Sequence, residues 1–296
     1  MDNKLRFPLI LDGFWLKILA LLTMTIDHIG YLLPPSMVSV VFRYIGRLAL
    51  PLFCLMIAEG AVHTKSMGKY LFRLGLMASF ISIVIICSEY IPFFKNQGFS
   101  MRDEGIIFLD LLLGALAIYL LRQKNWYIKL LATLPILYGI ASFTADCLES
   151  CGCYGKILWL PFFMRTQYGF FAILLSVGFY LARVLTDFFI RYQSNLSGID
   201  LSLYDNSYFK RNVLNAFSLM ILFMVSTILY FVGYLLPDEF VSWDLSMQFC
   251  AVFSGAFILL YNGRRGYNKA WFQYGSYLYY PLHLAILYII FSIIGG

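Results

Sequence analysis

Two adjacent ionisable residues, Asp27 and His28, lie inside a predominantly apolar run from Phe14 to Leu33, which has Lys17 near its start. Such a run is long enough to cross a bilayer, which takes about 20 predominantly apolar residues. Ionisable groups at that depth are costly and usually serve a function. An imidazole accepts a proton near neutral pH, so His28 is a candidate general base. The chain has three histidines, and the other two, His63 and His283, also have apolar surroundings.

Further ionisable residues lie in other predicted spans or at their ends, namely Arg47, Glu59 and Arg73. Each is expected to face the interior of a helix bundle, because lipid would not solvate it. Adjacent residues on a helix point about 100° apart, so Asp27 is not expected to orient His28. We expect Asp27 or Glu59 to orient a histidine on a neighbouring span.

Each of these residues also has a purely structural interpretation. A buried histidine often does no more than hydrogen-bond between helices. Glu59 and His63 are four residues apart and match a simple pair within one helix. Arg43 matches an interfacial anchor, whereas Arg47 lies deeper and needs a carboxylate or phosphate partner. The residues alone leave both interpretations open.

The composition predicts an all-α fold, a polytopic transmembrane helix bundle. Of the 296 residues, 61% are hydrophobic and 13% are charged, against about 25% charged in soluble domains. We expect residues 1–296 to form a single transmembrane domain in contact with the lipid bilayer. The net charge of +6 does not predict nucleic-acid binding, because the cations lie between the spans, where they determine the orientation of the protein in the membrane. The first apolar run lacks a small-residue cleavage site, so no cleaved signal peptide is expected.

Nine apolar segments are predicted as spans, at residues 14–33, 41–62, 70–91, 105–121, 127–145, 167–189, 213–236, 246–262 and 275–294. Another apolar segment, 154–164, is about half as long as a span. If it crosses, there are ten spans. If it is re-entrant or interfacial, there are nine, which is the arrangement we expect.

Lysine and arginine are concentrated in alternate connections between these spans. With a cytoplasmic N-terminus, the basic connections are cytoplasmic, as the positive-inside rule favours; they are residues 63–73, 122–129, 191–211 and 263–269. The cation-poor loop 146–155 is then external. It contains Cys147, Cys151 and Cys153, so a disulfide can form there. No Cys-x-x-Cys is present, and a metal site is not expected.

Six ordered stretches resemble the TraX family of membrane acetyltransferases, named for the protein that N-acetylates conjugative pilin. They run from Leu16 to Ile26-Asp27-His28-Ile29-Gly30, then over residues 46–53, 59–64, 70–74, 261–266 and 280–284, and so cover nearly the whole chain. The family in turn resembles multispan acyltransferases, including acyltransferase family three and the lysosomal heparan-α-glucosaminide acetyltransferase.

The resemblance implies an enzyme of the bacterial cytoplasmic (inner) membrane. It would move an acyl group, expected to be acetyl, from cytoplasmic acetyl-CoA or another acyl-CoA to an amine or hydroxyl in or across the membrane. The acceptor would be a peptide, sugar or lipid. Direct transfer and an acyl-histidine intermediate are both open.

The resemblance also implies roles for particular residues. His28 is the expected base and His283 a second base or acyl acceptor. The acids Asp27, Glu59 and Asp146 would orient the histidines or the acceptor. The expected catalytic residues are His28, His283, Asp27, Arg47, Glu59 and His63. The residues expected to hold the acyl-CoA are Arg73, Lys65, Lys69, Asn262, Arg264, Arg265, Lys269 and Tyr280.

One departure leaves the acceptor open. The family usually has a compact Asp-Tyr-Gly after the fifth span, whereas here Asp146 is separated from Tyr154-Gly155 by a cysteine-containing insertion. Two other function classes also remain. One is a proton-coupled transporter that uses the same His/Asp/Arg cavity, although no repeated halves are visible. The other is a non-catalytic assembly or immunity factor.

Overall fold

The computed structural model describes residues 8–91, 105–152, 159–198, 206–235 and 245–294, and these are helical without any strand. The α-helices are α1 Gly13–Leu32, α2 Met37–Gly46, α3 Ala49–His63, α4 Met67–Tyr90, α5 Ile107–Leu121, α6 Trp126–Leu130, α7 Thr133–Ser150, α8 Phe170–Ser197, α9 Ser207–Leu235, α10 Leu245–Gln248, α11 Gly255–Leu259 and α12 Ala270–Ile294.

Within the part of the chain that the structure describes, six helical segments are long and apolar enough to cross a membrane. They are Gly13–Leu32, Met37–His63, Met67–Tyr90, Trp126–Ser150, Phe170–Ser197 and Ser207–Leu235. The chain is therefore an all-helical, multi-pass membrane protein. The expected count of nine or ten spans is not confirmed by the described residues.

Two of the predicted spans are broken helices. The span expected at 41–62 is divided into α2 and α3 by a turn at Arg47 and Leu48, whose amides bond to carbonyls three residues back. Pro51 lacks an N–H and its ring crowds the carbonyl of Arg47, four residues earlier. Pro135 acts in the same way on Leu131, where α6 has ended and α7 has not begun.

The segment expected as a regular span at 246–262 is irregular. It contains the single turn of α10, a 3-10 helix over Phe249–Ser254, and the short α11. Of the half-span at 154–164, residues 159–164 are described, and they contain one 3-10 turn, Phe162–Met164. Residues 154–158 lie outside the described residues, so whether this segment crosses stays a prediction.

The chain forms two compact units, each built from separate stretches of sequence. The first takes Met1–Met56, Gly178–Thr227 and Met247–Gly296, and the second takes Ile57–Val177 and Ile228–Ser246. The expectation of a single domain over residues 1–296 stays a prediction.

In the first unit, α1 and α2 form a hairpin whose helices approach closely at two glycines. A Cβ at Gly30 would come within 2.7 Å of the Phe42 Cβ, and a Cβ at Gly46 would overlap the carboxylate of Asp27. The helix α12 packs against α1. Lys17, near the start of α1, contacts Ser276 near the start of α12, and His28, later in α1, contacts His283, later in α12. The two helices therefore run parallel.

The start of α1 is held by the turn before α12. Gly13 N donates to Arg264 O over 2.8 Å, and Leu11 exchanges backbone hydrogen bonds with this segment, through Leu260 O and Asn262 N. An early and a late segment of the chain thus meet at one end of this unit.

In the second unit, buried polar groups hold the connection between α7 and α8. Asp110, fully buried in α5, accepts hydrogen bonds from the backbone N–H groups of Gln167 and Tyr168. Arg165 pairs with Asp146 and Glu149 of α7. These ion pairs satisfy a guanidinium that is 7% exposed.

Candidate functional site: a histidine pair beside an aspartate–arginine cluster

The first unit brings two of the three histidines together. His28 of α1 and His283 of α12 are each 5% exposed, and His28 Nδ1 lies 3.1 Å from His283 Nε2. Both residues were expected to be catalytic, and the structure brings them together although 255 residues separate them in the chain.

Backbone carbonyls determine which nitrogens carry protons in this pair. His283 Nδ1 lies 2.9 Å from Tyr279 O, and His28 Nδ1 lies 2.9 Å from Met24 O. A carbonyl accepts only, so each Nδ1 carries the hydrogen. The Nδ1–H of His28 is therefore shared between Met24 O and the Nε2 lone pair of His283. In the neutral pair, the basic lone pair of His28 lies on Nε2.

Aromatic side chains enclose the two imidazoles. The ring of Tyr279 stacks on His283 with centroids 5.1 Å apart, and Tyr280 meets both histidines edge to face. Tyr280, predicted to contact the acyl-CoA, is thus placed beside the histidine pair. The hydroxyl of Tyr279 is 2.7 Å from Thr25 Oγ1, which further fixes α12 against α1.

The carboxylate of Asp27 is bound by arginines where the sequence analysis expected a histidine. Arg47 Nη2 donates to both carboxylate oxygens, over 2.9 and 3.1 Å, and Arg43 Nη1 lies 3.0 Å from Asp27 Oδ2. Arg47 also donates from Nη1 to the side-chain oxygen of Gln248 over 3.2 Å. These contacts make Arg47 the link between α1, α2 and the irregular segment that begins at α10.

The predicted cofactor-binding residues Asn262, Arg264, Arg265 and Lys269 lie in the turn that holds the start of α1. The Asn262 side chain accepts from Arg264 N over 2.8 Å, and the three cationic side chains are exposed. The turn requires glycine at positions 263 and 266, where φ is +77° and +65°. Beside it, the buried guanidinium of Arg211 lies 4.1 Å from the centre of the Tyr261 ring.

The remaining predicted residues belong to the second unit. His63 Nδ1 lies 3.3 Å from Glu59 Oε2 of the same helix, and the His63 side chain is 48% exposed. This is the geometry of the simple intrahelical pair that the spacing also allowed. Lys65, Lys69 and Arg73 are exposed, and Asp146 pairs with Arg165.

Several buried polar residues in these units were missed from the sequence. Asp110 is a lone acid in the span 105–121, a signal of the same kind that singled out Asp27. Arg165 lies between two predicted apolar segments, and Gln248 lies near the start of the predicted span 246–262 but carries no charge. Within the described residues, no group of three His, Cys, Asp or Glu side chains is placed to hold a metal ion. A disulfide was left open among Cys147, Cys151 and Cys153; the first two form none with each other, and Cys153 lies outside the described residues.

The helices and their buried ionisable side chains define a multi-pass membrane protein with a polar site inside one of its units. Comparison with known families is more specific, because the family model described as TraX protein matches residues 13–291. The chain belongs to the TraX family. No solved structure matches it.

One similar protein is the probable fimbrial assembly protein FimC, serogroup H1, of Dichelobacter nodosus. It is 33% identical over 114 residues, which are 35% of this chain and 47% of that protein. The match thus spans about half the length of the relative.

Proposed function

We propose that the protein is an acyltransferase of the bacterial cytoplasmic membrane, which transfers an acyl group, acetyl first among the candidates, from cytoplasmic acyl-CoA to an amine or hydroxyl. The observation that carries the proposal is the buried pair of His28 and His283. A base held in an apolar interior by a second imidazole suits proton abstraction more than it suits structural support alone.

In direct transfer, His28 Nε2 takes the proton of the acceptor amine or hydroxyl while the acceptor attacks the thioester carbonyl. A C–N or C–O bond forms and the C–S bond breaks. His283 Nε2 accepts the Nδ1–H of His28 throughout, so it stabilises the imidazolium that forms. His28 then returns the proton to the departing thiolate. In the alternative route, His28 Nε2 attacks the thioester itself, the C–S bond breaks and the CoA thiolate leaves. The acceptor then attacks the acyl-imidazole, the C–N bond to His28 breaks, and the acceptor's proton passes to the thiolate.

The turn at 262–269 supplies the cationic end of the site. Arg264, Arg265 and Lys269 are proposed to bind the phosphates of CoA. The turn is bonded to Gly13, and His28 follows 15 residues later in α1, about 22 Å along the helix at 1.5 Å per residue. The long pantetheine arm of CoA is proposed to follow α1 from the turn to the histidine pair.

The cations of the second unit, Lys65, Lys69 and Arg73, are proposed as a further phosphate-binding set. Glu59 and His63 remain a second candidate base with its orienting acid. Arg47 is proposed to position Asp27 and Gln248, because its described hydrogen bonds already occupy much of its guanidinium.

The acceptor proposed for the first tests is a fimbrial subunit with a free amine, on the ground that the relative in Dichelobacter nodosus is named as a fimbrial assembly protein. The wider proposal needs only an amine or hydroxyl that reaches the membrane. Asp146, held by Arg165, is proposed to face this acceptor.

The test is incubation of the purified, detergent-solubilised protein with acetyl-CoA labelled in the acetyl group, with and without fimbrial subunits. We expect CoA release, and label on the subunit or on the protein itself. His28→Ala should abolish the release of CoA and the labelling. Gln193→Ala, near the C-terminal end of α8, should change neither quantity. Absence of CoA release together with absence of a CoA-dependent thermal shift would contradict the proposal. Solute uptake into proteoliposomes without CoA would favour a transporter.

A further inference from the structure

Gln248 is the most deeply buried polar residue of the aspartate–arginine cluster. Its side chain is 0% exposed. The orientation of its amide is fixed, since Arg47 Nη1 can only donate and therefore faces the side-chain oxygen over 3.2 Å. The opposite orientation would place an NH₂ group against a guanidinium.

The amide nitrogen of Gln248 therefore points away from Arg47. Among the described residues, Nε2 has no hydrogen-bond partner. A buried donor that lacks an acceptor costs about 1–3 kcal/mol. A side chain that only held Arg47 would not need this donor, because a carboxylate, which only accepts, would bind the guanidinium without leaving an N–H group unsatisfied.

Arg47 also strengthens this donor. A hydrogen bond to an amide oxygen polarises the amide, and its N–H groups then donate more strongly. A fixed, polarised donor in a site that excludes water suits an oxygen that gains negative charge during a reaction. Arg47 was expected to be catalytic, but its guanidinium is bound to Asp27 and Gln248.

We infer that Gln248 Nε2 binds the carbonyl oxygen of the transferred acyl group and stabilises the oxyanion that forms when the thioester is attacked. The inference rests on the proposed function and assigns one subsite within it. Its ligand is a carbonyl oxygen, neutral in the bound thioester and negatively charged in the tetrahedral intermediate.

The decisive variant is Gln248→Glu, which keeps the size of the side chain and an oxygen for Arg47 but loses the donor. We expect kcat for acetyl-CoA turnover to fall by about 10²–10³-fold, as for removal of one oxyanion donor. The thermal shift with CoA alone should stay as in the wild type. Gln193→Glu, which makes the same change at the end of α8, should turn over normally.

Gln248→Met is the second variant, in case the added carboxylate prevents folding. It matches the length of glutamine and carries no donor, so the same fall in kcat is expected. Wild-type kcat in a folded Gln248→Glu or Gln248→Met protein would overturn the inference, and the amide nitrogen would then be a site for water. If the wild type itself released no CoA, the proposed function would fail first, and this inference would fail with it.

Discussion

His28 and His283 share one hydrogen bond, but their positions in it are not equivalent. The lone pair of His283 Nε2 faces the Nδ1–H of His28, whereas the lone pair of His28 lies on the other side of its ring, on Nε2. His28 is therefore placed to accept a proton from a substrate, and His283 to stabilise the charge that results.

This asymmetry predicts different losses for substitutions at the two histidines. His28→Ala should lower acyl transfer by at least the 10²–10⁴-fold, roughly, that a general base contributes. His283→Gln should keep more activity than His283→Ala, because an amide oxygen can still accept from His28 Nδ1. The measurement is CoA release at saturating acetyl-CoA. Equal losses for His283→Gln and His283→Ala would show that His283 does not act as the acceptor.

Asp27 and Arg47 form a buried ion pair, with side chains 10% and 6% exposed. Asp27→Asn should lower the free energy of unfolding by about 3–5 kcal/mol, because it leaves guanidinium charge in the interior without its carboxylate. Arg47→Met should cost a similar amount. The double variant should cost less than the sum, which denaturant unfolding in detergent can measure. Additive losses would show that the two side chains are not coupled.

At this scale, the sequence predicted which residues are buried better than which residues pair. Asp27, His28, Arg47 and His283 are all buried, as expected of ionisable residues inside apolar runs, whereas Arg73 and His63, which were also expected to face the interior, are exposed. The partner of Asp27 was expected to be a histidine and is arginine, because pairing depends on helix phase and on the close approach of α1 and α2. Gln248 carries no charge, so it was not singled out as an ionisable residue within an apolar run.

The hairpin of α1 and α2 depends on the absence of a side chain at Gly46. Gly46→Ala should lower the free energy of unfolding by about 1–3 kcal/mol, the usual cost of overpacking, because its Cβ would overlap Asp27. Activity should fall with it, since Asp27 and His28 are neighbours. The melting temperature in detergent and CoA release are the measurements.

Gly275→Ala is the matched control for this prediction. Gly275 lies in α12 of the same unit, and a Cβ there would meet nothing within 4 Å. Alanine in a helix interior is favoured over glycine by up to about 1 kcal/mol, so this variant should be as stable as the wild type or more so. A Gly46→Ala protein as stable as Gly275→Ala would count against the tight α1–α2 contact.

Helices were predictable as apolar runs, and their interruptions were less so. Pro51 lies four residues after Arg47, and Pro135 four after Leu131, so both breaks follow from the missing N–H and crowded carbonyl that proline imposes. Pro281 lies inside the continuous helix α12, so a proline in the sequence does not by itself predict a break. Packing decides which prolines interrupt a helix.

Across the whole molecule, helical class and membrane residence followed from composition, because lipid permits few other folds. The number of spans did not follow, since apolar segments of intermediate length, such as 246–262 and 154–164, can be irregular. The division into two units joins stretches far apart in sequence, which no local pattern indicates.

The orientation of α1 makes a prediction for the intact cell. Met37, 80% exposed at the start of α2, should face outward, and Arg265 should face the cytoplasm with the other cations. Met37→Cys should react with a membrane-impermeant maleimide in spheroplasts, and Arg265→Cys only in inverted vesicles. The native cysteines provide the background, measured on the parent protein. Labelling of both positions from one side would show that α1 does not span the membrane.

The meeting of early and late segments in the first unit has a consequence for biosynthesis. Arg47, the partner of Asp27, follows it by 20 residues in the chain, whereas His283, the partner of His28, follows it by 255. The acidic charge of the first helix is therefore neutralised within a hairpin while translation continues. The imidazole pair is assembled only when the last helix leaves the ribosome and inserts. A prematurely terminated chain would reach the membrane with Asp27 already paired and without the histidine pair.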